Sequence, residues 1–332
     1  MRPQAFRTRL TELLGIRHPI LCGGLGPGVS DAKYVAACVN AGAMGFIVAA
    51  GFSDPAQFRS ELRLCRQLTD GKPFGVNLYI SRISGGIEKT ARQLDILIEE
   101  GVTCVETAGA SPEPLMARLK DAGIVVLHKV PAVRYALATV RAGADAVIVV
   151  GNECGGHPGV FQIGTMVQAA HAPAVVNVPV VIGGGIGTGR QMVGALAMGA
   201  EGVILGTRMI VSEELWISRS YKEHVTTLDG TESVVVKTAI RDNHRVLNNE
   251  SAKAAAELDR LQTVDFEAYR PHIMGDLARE AYRTGDWSKG MLDLGHAAIF
   301  ADKVEPVEVI IDRMIDDAVG AMARLPAVAG AQ

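Results

Sequence analysis

At 332 residues, 48% of them hydrophobic, the chain is long enough for two domains or for one large α/β barrel, and it can fill a sizeable core. Thirty-three Lys and Arg against 36 Asp and Glu leave a formal net charge of −3, which gives no footprint for nucleic acid. No apolar run reaches the length of a membrane span, and the amino-terminal MRPQAFRTRLTELLG is broken by charges before a signal-peptide core could form, so a cytoplasmic setting is expected.

An arm or helix over Phe6 to Leu14 leads into a short strand, His18 to Cys22, that stops at Gly23-Gly24. Asp31 to Ala41 reads as a helix with Gly42 just past its end. The same unit then recurs. Strand Met44 to Val48 is followed by a helix from Pro55 to Gln67, strand Phe74 to Leu78 by Ile87 to Glu100, strand Thr103 to Glu106 by Pro112 to Ala122, and strand Val125 to Leu127 by Ala132 to Arg141. The sixth strand is Ala146 to Val149. The seventh and eighth, Val180 to Ile182 and Val203 to Leu205, flank an amphipathic segment containing Met192 and Leu196.

Apolar strands alternating with helices call for a parallel sheet, and eight such units close most naturally into a (β/α)8 TIM barrel, with an open doubly wound sheet as the competing topology. Between about Ser212 and Asp286 the pattern becomes polar and helix-rich (Ser218 to Thr226, Ser251 to Gln262, Asp276 to Thr284). That block is too long for an ordinary barrel loop. It is expected to be a helical subdomain inserted after the eighth strand, over the barrel mouth. The expected division is residues 1–211 for strands one to eight, 212–288 for the insert and 289–332 for the return to the barrel, with a final helix over Pro306 to Leu325.

In a barrel, the residues that end the strands share one cavity. The last two strands end in Gly183-Gly184-Gly185 and Gly206-Thr207, so bare backbone N–H groups lie side by side there as a cup for a phosphate monoester, with the positive end of a short helix nearby. A dinucleotide fingerprint is not satisfied in this stretch, and no Walker loop occurs in the chain. Turn-making alone is the competing explanation of these glycines. Asn77 carries a donor and an acceptor for the edge of a pyrimidine-like ring, and Lys129 can set a positive charge beside a ring that becomes anionic on reduction. A flat redox ring with one terminal phosphate is FMN. Taken singly, Asn77 could be a turn cap and Lys129 the salt-bridge partner of Glu106.

The most informative motif is GNECGGHPG at 151–159, in which Gly155 and Gly156 would let the backbone run close to a flat ligand and hold the His157 imidazole over it. A neutral His is a natural general base for a weakly acidic carbon. His18, His128 and His157 lack a carboxylate or cysteine cluster at ligand spacing, so no metal is expected. The five cysteines, Cys22, Cys38, Cys65, Cys104 and Cys154, show no C-x-x-C spacing and read as free thiols.

Almost the full length resembles the nitronate monooxygenase (2-nitropropane dioxygenase) family of FMN-dependent barrels, whose relatives include NADH:quinone reductases and flavin-dependent enoyl-acyl carrier protein reductases. The resemblance is carried by HPILCGG at 18–24, FGVNL at 74–78, VETAG at 105–109, VLHKV at 126–130, GNECGGHPG at 151–159, VIGGGIGTGRQMVGALAMGAEGVILGTR at 181–208 and HRVLNN at 244–249. It implies that Gly184, Gly185, Gly206 and Thr207 bind the FMN phosphate, with Gly183, Gly23 and Gly24 also counted among the cofactor-binding positions. Asn77 and Lys129 would meet the isoalloxazine and its ribityl chain, and His157 would be the catalytic residue. The family commonly has Met-Gln-Gly-Gly-Met where this chain has Leu21, Cys22, Gly23, Gly24 and Leu25, so the amide contact at Cys22 is lost.

Three activities would use such a site: oxidation of an alkyl nitronate or nitroalkane with O2 to a carbonyl compound and nitrite, transfer of hydride from NADH or NADPH to a quinone, or flavin-dependent reduction of an enoyl group. A non-catalytic flavin binder is the reading from another class. The insert, with Arg241, His244, Arg245 and Asn248, is expected to cover the pocket and choose the second substrate. Trp216, Trp287 and the final helix are candidates for either barrel packing or the surface of a homodimer.

Overall fold

The computed structural model describes residues 3–81 and 86–328; the first two residues of the amino-terminal stretch and the last four of the expected final segment lie outside the described residues. Its centre is a closed barrel of eight strands in sequence order, every neighbouring pair parallel. The strands are β1 Ile20–Cys22, β2 Met44–Val48, β3 Gly75–Ile80, β4 Cys104–Gly109, β5 Val125–Val130, β6 Ala146–Val150, β7 Val180–Gly183 and β8 Gly202–Leu205. The helices ahead of and between them are α1 Arg9–Leu14, α2 Ala32–Asn40, α3 Pro55–Leu68, α4 Gly86–Glu99, α5 Glu113–Asp121, α6 Val133–Arg141, α7 Thr165–Val175 and α8 Gly189–Ala197. The TIM barrel expected from the sequence is therefore the fold.

Local chemistry places these elements. Asp31 accepts the Tyr34 amide to start α2, and Asp54 with Pro55 at the first helical position starts α3. Alternation along each strand sorts the core into two layers. Val76, Val105, Val126, Val147, Ile182 and Val203 pack under the helices. Leu21, Met44, Phe46, Cys104, Leu127, Ile148, Val181 and Ile204 fill the barrel interior, closed at one end by Leu10 and Leu14 of α1. Gly75 leaves room for the Phe46 ring, whose Cδ1 would lie 2.2 Å from a Cβ there. Each of these fully buried aliphatic side chains contributes about 1.5–3 kcal/mol of transfer free energy.

After β8 the chain leaves the barrel through α9 Arg219–Val225, a hairpin of β9 Ser233–Val236 and β10 His244–Leu247, and helices α10 Glu250–Arg260, α11 Phe266–Ile273 and α12 Gly275–Thr284. It returns through α13 Val307–Val328, which packs on α8. The expected helices of this block are present, with α11 added. The block also contains an antiparallel hairpin, so it is a helical unit wrapped on a small two-stranded sheet. Val236, Val246, Ala252, Ala255, Tyr269 and Met291 form its own core.

Candidate active site

Register sets the first group of polar side chains. Asn77 pairs with Glu106 across β3 and β4, and Ala108 pairs with Lys129 across β4 and β5, so Asn77, Glu106 and Lys129 all point into the mouth from adjacent strands. Glu106 is fully buried. It accepts from Asn77 Nδ2 (3.1 Å) and from the Gly24 amide (3.4 Å), and its Oε1 lies 2.5 Å from Lys129 Nζ. The salt bridge considered for Lys129 is thus formed, and a quarter of the lysine side chain still reaches solvent. Gly24 is required sterically, because a Cβ there would lie 2.8 Å from Asn77 Cβ. Gly23 donates to the Leu205 carbonyl and closes β1 against β8. His128 points the other way, among the helix-facing residues, with Nδ1 2.8 Å from Thr107 Oγ1.

The glycine ends of β7 and β8 form the second group. Gly183 is packed, since a Cβ would meet Ile204 Cγ2 at 2.4 Å. Gly184 and Gly185 adopt φ of +100° and +71°, a region that favours glycine. Among the described residues, the amides of Gly184, Gly185 and Gly206 donate to no carbonyl or side chain. A Cβ on Gly206 would meet nothing within 4 Å, so open space lies beside that residue, whereas Gly184 is packed against Thr165 and Gly151 and Gly185 against Glu153. Unbonded N–H groups at the ends of two adjacent strands fit a phosphate monoester. The amino-terminal end of α8 is capped, whereas a short helical turn, Thr207–Met209, begins directly after Gly206. Thr188 accepts the Gln191 amide, and the Gln191 carboxamide accepts from the amides of Gly187 and Thr188. Thr207 Oγ1 accepts from the Gly295 amide (2.9 Å), which leaves its O–H as a donor.

His157 belongs to a third group that sequence reasoning did not assemble. Gly156 and Arg245 exchange backbone hydrogen bonds of 3.0 and 2.6 Å, so β10 continues as a bridge onto the 151–159 loop. The neighbouring pair, His157 and His244, is thereby stacked, with ring centroids 4.2 Å apart and planes 17° from parallel. Lys237 Nζ lies 3.5 Å and Asp242 Oδ1 3.6 Å from His157 Nε2, while Lys237 and Asp242 pair at 2.6 Å. His244 Nε2 lies 2.6 Å from Asp293 Oδ1. Although 46% of the His157 side chain reaches solvent, hairpin and loop wall its ring. This desolvation, then His244 and Lys237, holds the imidazole below its ordinary range. Burial pushes the neighbouring Cys154 thiol up to about 12, which leaves it protonated at neutral pH.

The glycines of this loop meet protein. A Cβ on Gly155 would lie 2.9 Å from the Gly295 amide nitrogen, and Gly156 has both backbone groups engaged by Arg245. The close approach anticipated to a flat ligand is taken up by segment 293–296, which ties the groups together. Asp293 holds His244, Gly295 donates to Thr207, and His296 donates to the Glu153 carbonyl. Glu153 in turn accepts from the Thr165 amide, and the Thr165 hydroxyl donates to the Gly184 carbonyl. Lys237, Asp242 and Asp293 carried no local sequence signal. The HRVLNN stretch containing His244 was the nearest hint.

A family model described as nitronate monooxygenase matches residues 7–317. A (3aS,4S,5R,7aS)-5-hydroxy-7a-methyl-1-oxo-octahydro-1H-indene-4-carboxyl-CoA dehydrogenase from Rhodococcus jostii is 36% identical over 74% of this chain, and the match spans 66% of that relative's own length, just under two thirds. A probable nitronate monooxygenase from Staphylococcus saprophyticus is 31% identical over 76% of this chain and 81% of its own. Among solved structures, FabK from Thermotoga maritima superposes with a TM-score of 0.88 at 32% identity, covering 98% of this chain and all of the other. A nitroalkane oxidase from Streptomyces ansochromogenes gives 0.79 at 25% identity, covering 95% and 99%.

Proposed function

The chain belongs to the nitronate monooxygenase family and is an oxidoreductase, and from that premise we propose that it uses FMN to oxidise alkyl nitronates with O2, yielding a carbonyl compound and nitrite. When bound, FMN would supply an electron-accepting ring; the remaining work falls to side chains and amides of this chain. The amides of Gly184, Gly185 and Gly206 and the Thr207 hydroxyl would hold the phosphate. Asn77 and Lys129 would border the ring, with Glu106 keeping both in place.

One observation carries the assignment of the base: an imidazole held below its ordinary range whose Nε2 lies 3.5 Å from a lysine ammonium. Taking a proton from the carbon beside a nitro group needs a neutral base, and the nitronate that forms needs a cation close to its oxygens. His157 and Lys237 offer both. Substrates at this site would be small molecules, with the hairpin deciding which ones reach the ring.

A second reading is favoured by the higher identity, 36%, of the Rhodococcus relative named as a carboxyl-CoA dehydrogenase. On it, the organic substrate would be a thioester, or the flavin would take hydride from NADH or NADPH for a quinone. Anaerobic mixing separates them. Bleaching of the flavin by propionate 3-nitronate and not by NADH or NADPH supports nitronate oxidation, and the reverse pattern overturns it.

A further inference from the structure

The hairpin contributes more than cover. The antiparallel bridge between Gly156 and Arg245 dictates that His157 and His244, each one residue from the bridge, face each other across it, and the stack at 4.2 Å and 17° is that register made visible. His244 is itself fixed, 8% exposed, with Nε2 committed to Asp293 and with Nδ1 buried and lacking a hydrogen-bond partner among the described residues. A ring so held cannot turn to serve a substrate, so what it can act on is the face of His157.

We propose that the His244–Asp293 pair is a positioning device for His157, holding its imidazole flat against a second ring and denying it a second positive charge. This rests on the reading of His157 as the base. Two stacked imidazolium rings would repel at short range, and Lys237 already places a cation at the ring's edge. The charged groups facing His157 are Lys237 and Asp242 from the hairpin turn, His244 from β10 and Asp293 from the segment after α12. The carboxylates oppose the cations, but Asp242 is engaged by Lys237 and Asp293 by His244, so neither is free to serve as the ion-pair partner of a protonated His157. The loop's own Glu153 is tied to Thr165.

The test is histidine-labelled NMR on the purified full-length protein, with the His157 titration midpoint read directly and without reference to turnover. His244→Phe keeps an aromatic face and removes the ionisable ring; His244→Gln keeps a side-chain donor for Asp293 and serves where Phe is not accommodated. In both variants the midpoint of His157 rises by about one pH unit. An unchanged or lowered midpoint in either folded variant overturns the proposal. The acid limb of kcat/KM for a neutral nitroalkane follows the same displacement if His157 is the base. A moved midpoint with an unmoved limb leaves the positioning role standing and removes His157 from catalysis.

Discussion

Glu106 Oε1 and Lys129 Nζ, 2.5 Å apart at the mouth of the barrel, join a fully buried carboxylate to a lysine that still reaches solvent. Glu106 also accepts from Asn77 Nδ2 and the Gly24 amide, so one side chain orders three strands. Glu106→Gln removes the charge while keeping the shape. Because Lys129 is partly exposed, the expected loss is below that of a wholly buried pair, about 1–3 kcal/mol by urea denaturation. No change in the midpoint would show that the cluster is not a structural unit.

The glycine positions separate folding from binding. Gly184 sits at φ +100° with Gly151 backbone atoms 2.8 and 2.9 Å from a would-be Cβ, so Gly184→Ala costs about 2 kcal/mol or more. A methyl on Gly206 points into open space. Gly206→Ala is therefore expected to change the melting temperature little and to weaken FMN binding about tenfold or more, measured by flavin fluorescence titration. Equal FMN affinity in that variant would place the phosphate elsewhere.

His128 makes the fold sensitive to acid. It is 3% exposed, and burial pushes its imidazole from 6.5 to about 4. Between those values the unfolded chain binds the proton that the folded chain refuses. The contribution is intact above about pH 6.5 and is lost as the pH falls to about 4, by about 3 kcal/mol in total. Urea midpoints measured across that window fall steeply for the natural protein and less steeply for His128→Gln; parallel curves would contradict this.

His157→Ala leaves the barrel folded, since nearly half of that side chain is exposed, and leaves FMN affinity within a few-fold. Turnover of a neutral nitroalkane falls by about 10²–10⁴-fold. For the natural protein the acid limb of kcat/KM lies below the ordinary histidine range, because the folded site depresses the proton affinity of His157. Retained turnover in the variant would assign the base to another group.

The barrel was legible because each strand is an apolar run closed by glycine or a polar end, repeated eight times, with amphipathic helices between most of them. Helix α7 was not, for its Met166, Val167, Ala169, Ala170 and Ala172 show no polar face and Pro173 interrupts it. The hairpin escaped because β9 and β10 have four residues each, joined by a seven-residue turn without an Asn-Gly or Asp-Gly signal. Site glycines and His157 could be picked out one strand end at a time. Lys237 could not, and His244 could be named only as an insert residue over the pocket and not as the ring against His157, because both meet His157 through contacts spanning eighty residues of sequence or more. Gly155 shows a limit of another kind: a need for close backbone approach is readable, but whether a ligand or segment 293–296 approaches is not.

Flavin binding at this site depends on a phosphate held by the amides after β7 and β8. Titrating the flavin-free protein with FMN and with riboflavin, which has the same ring and ribityl chain but no phosphate, addresses that directly. FMN is expected to bind at least about a hundredfold more tightly, because several charge-assisted hydrogen bonds would reach one phosphate. Equal affinities, or no binding of either, would contradict it.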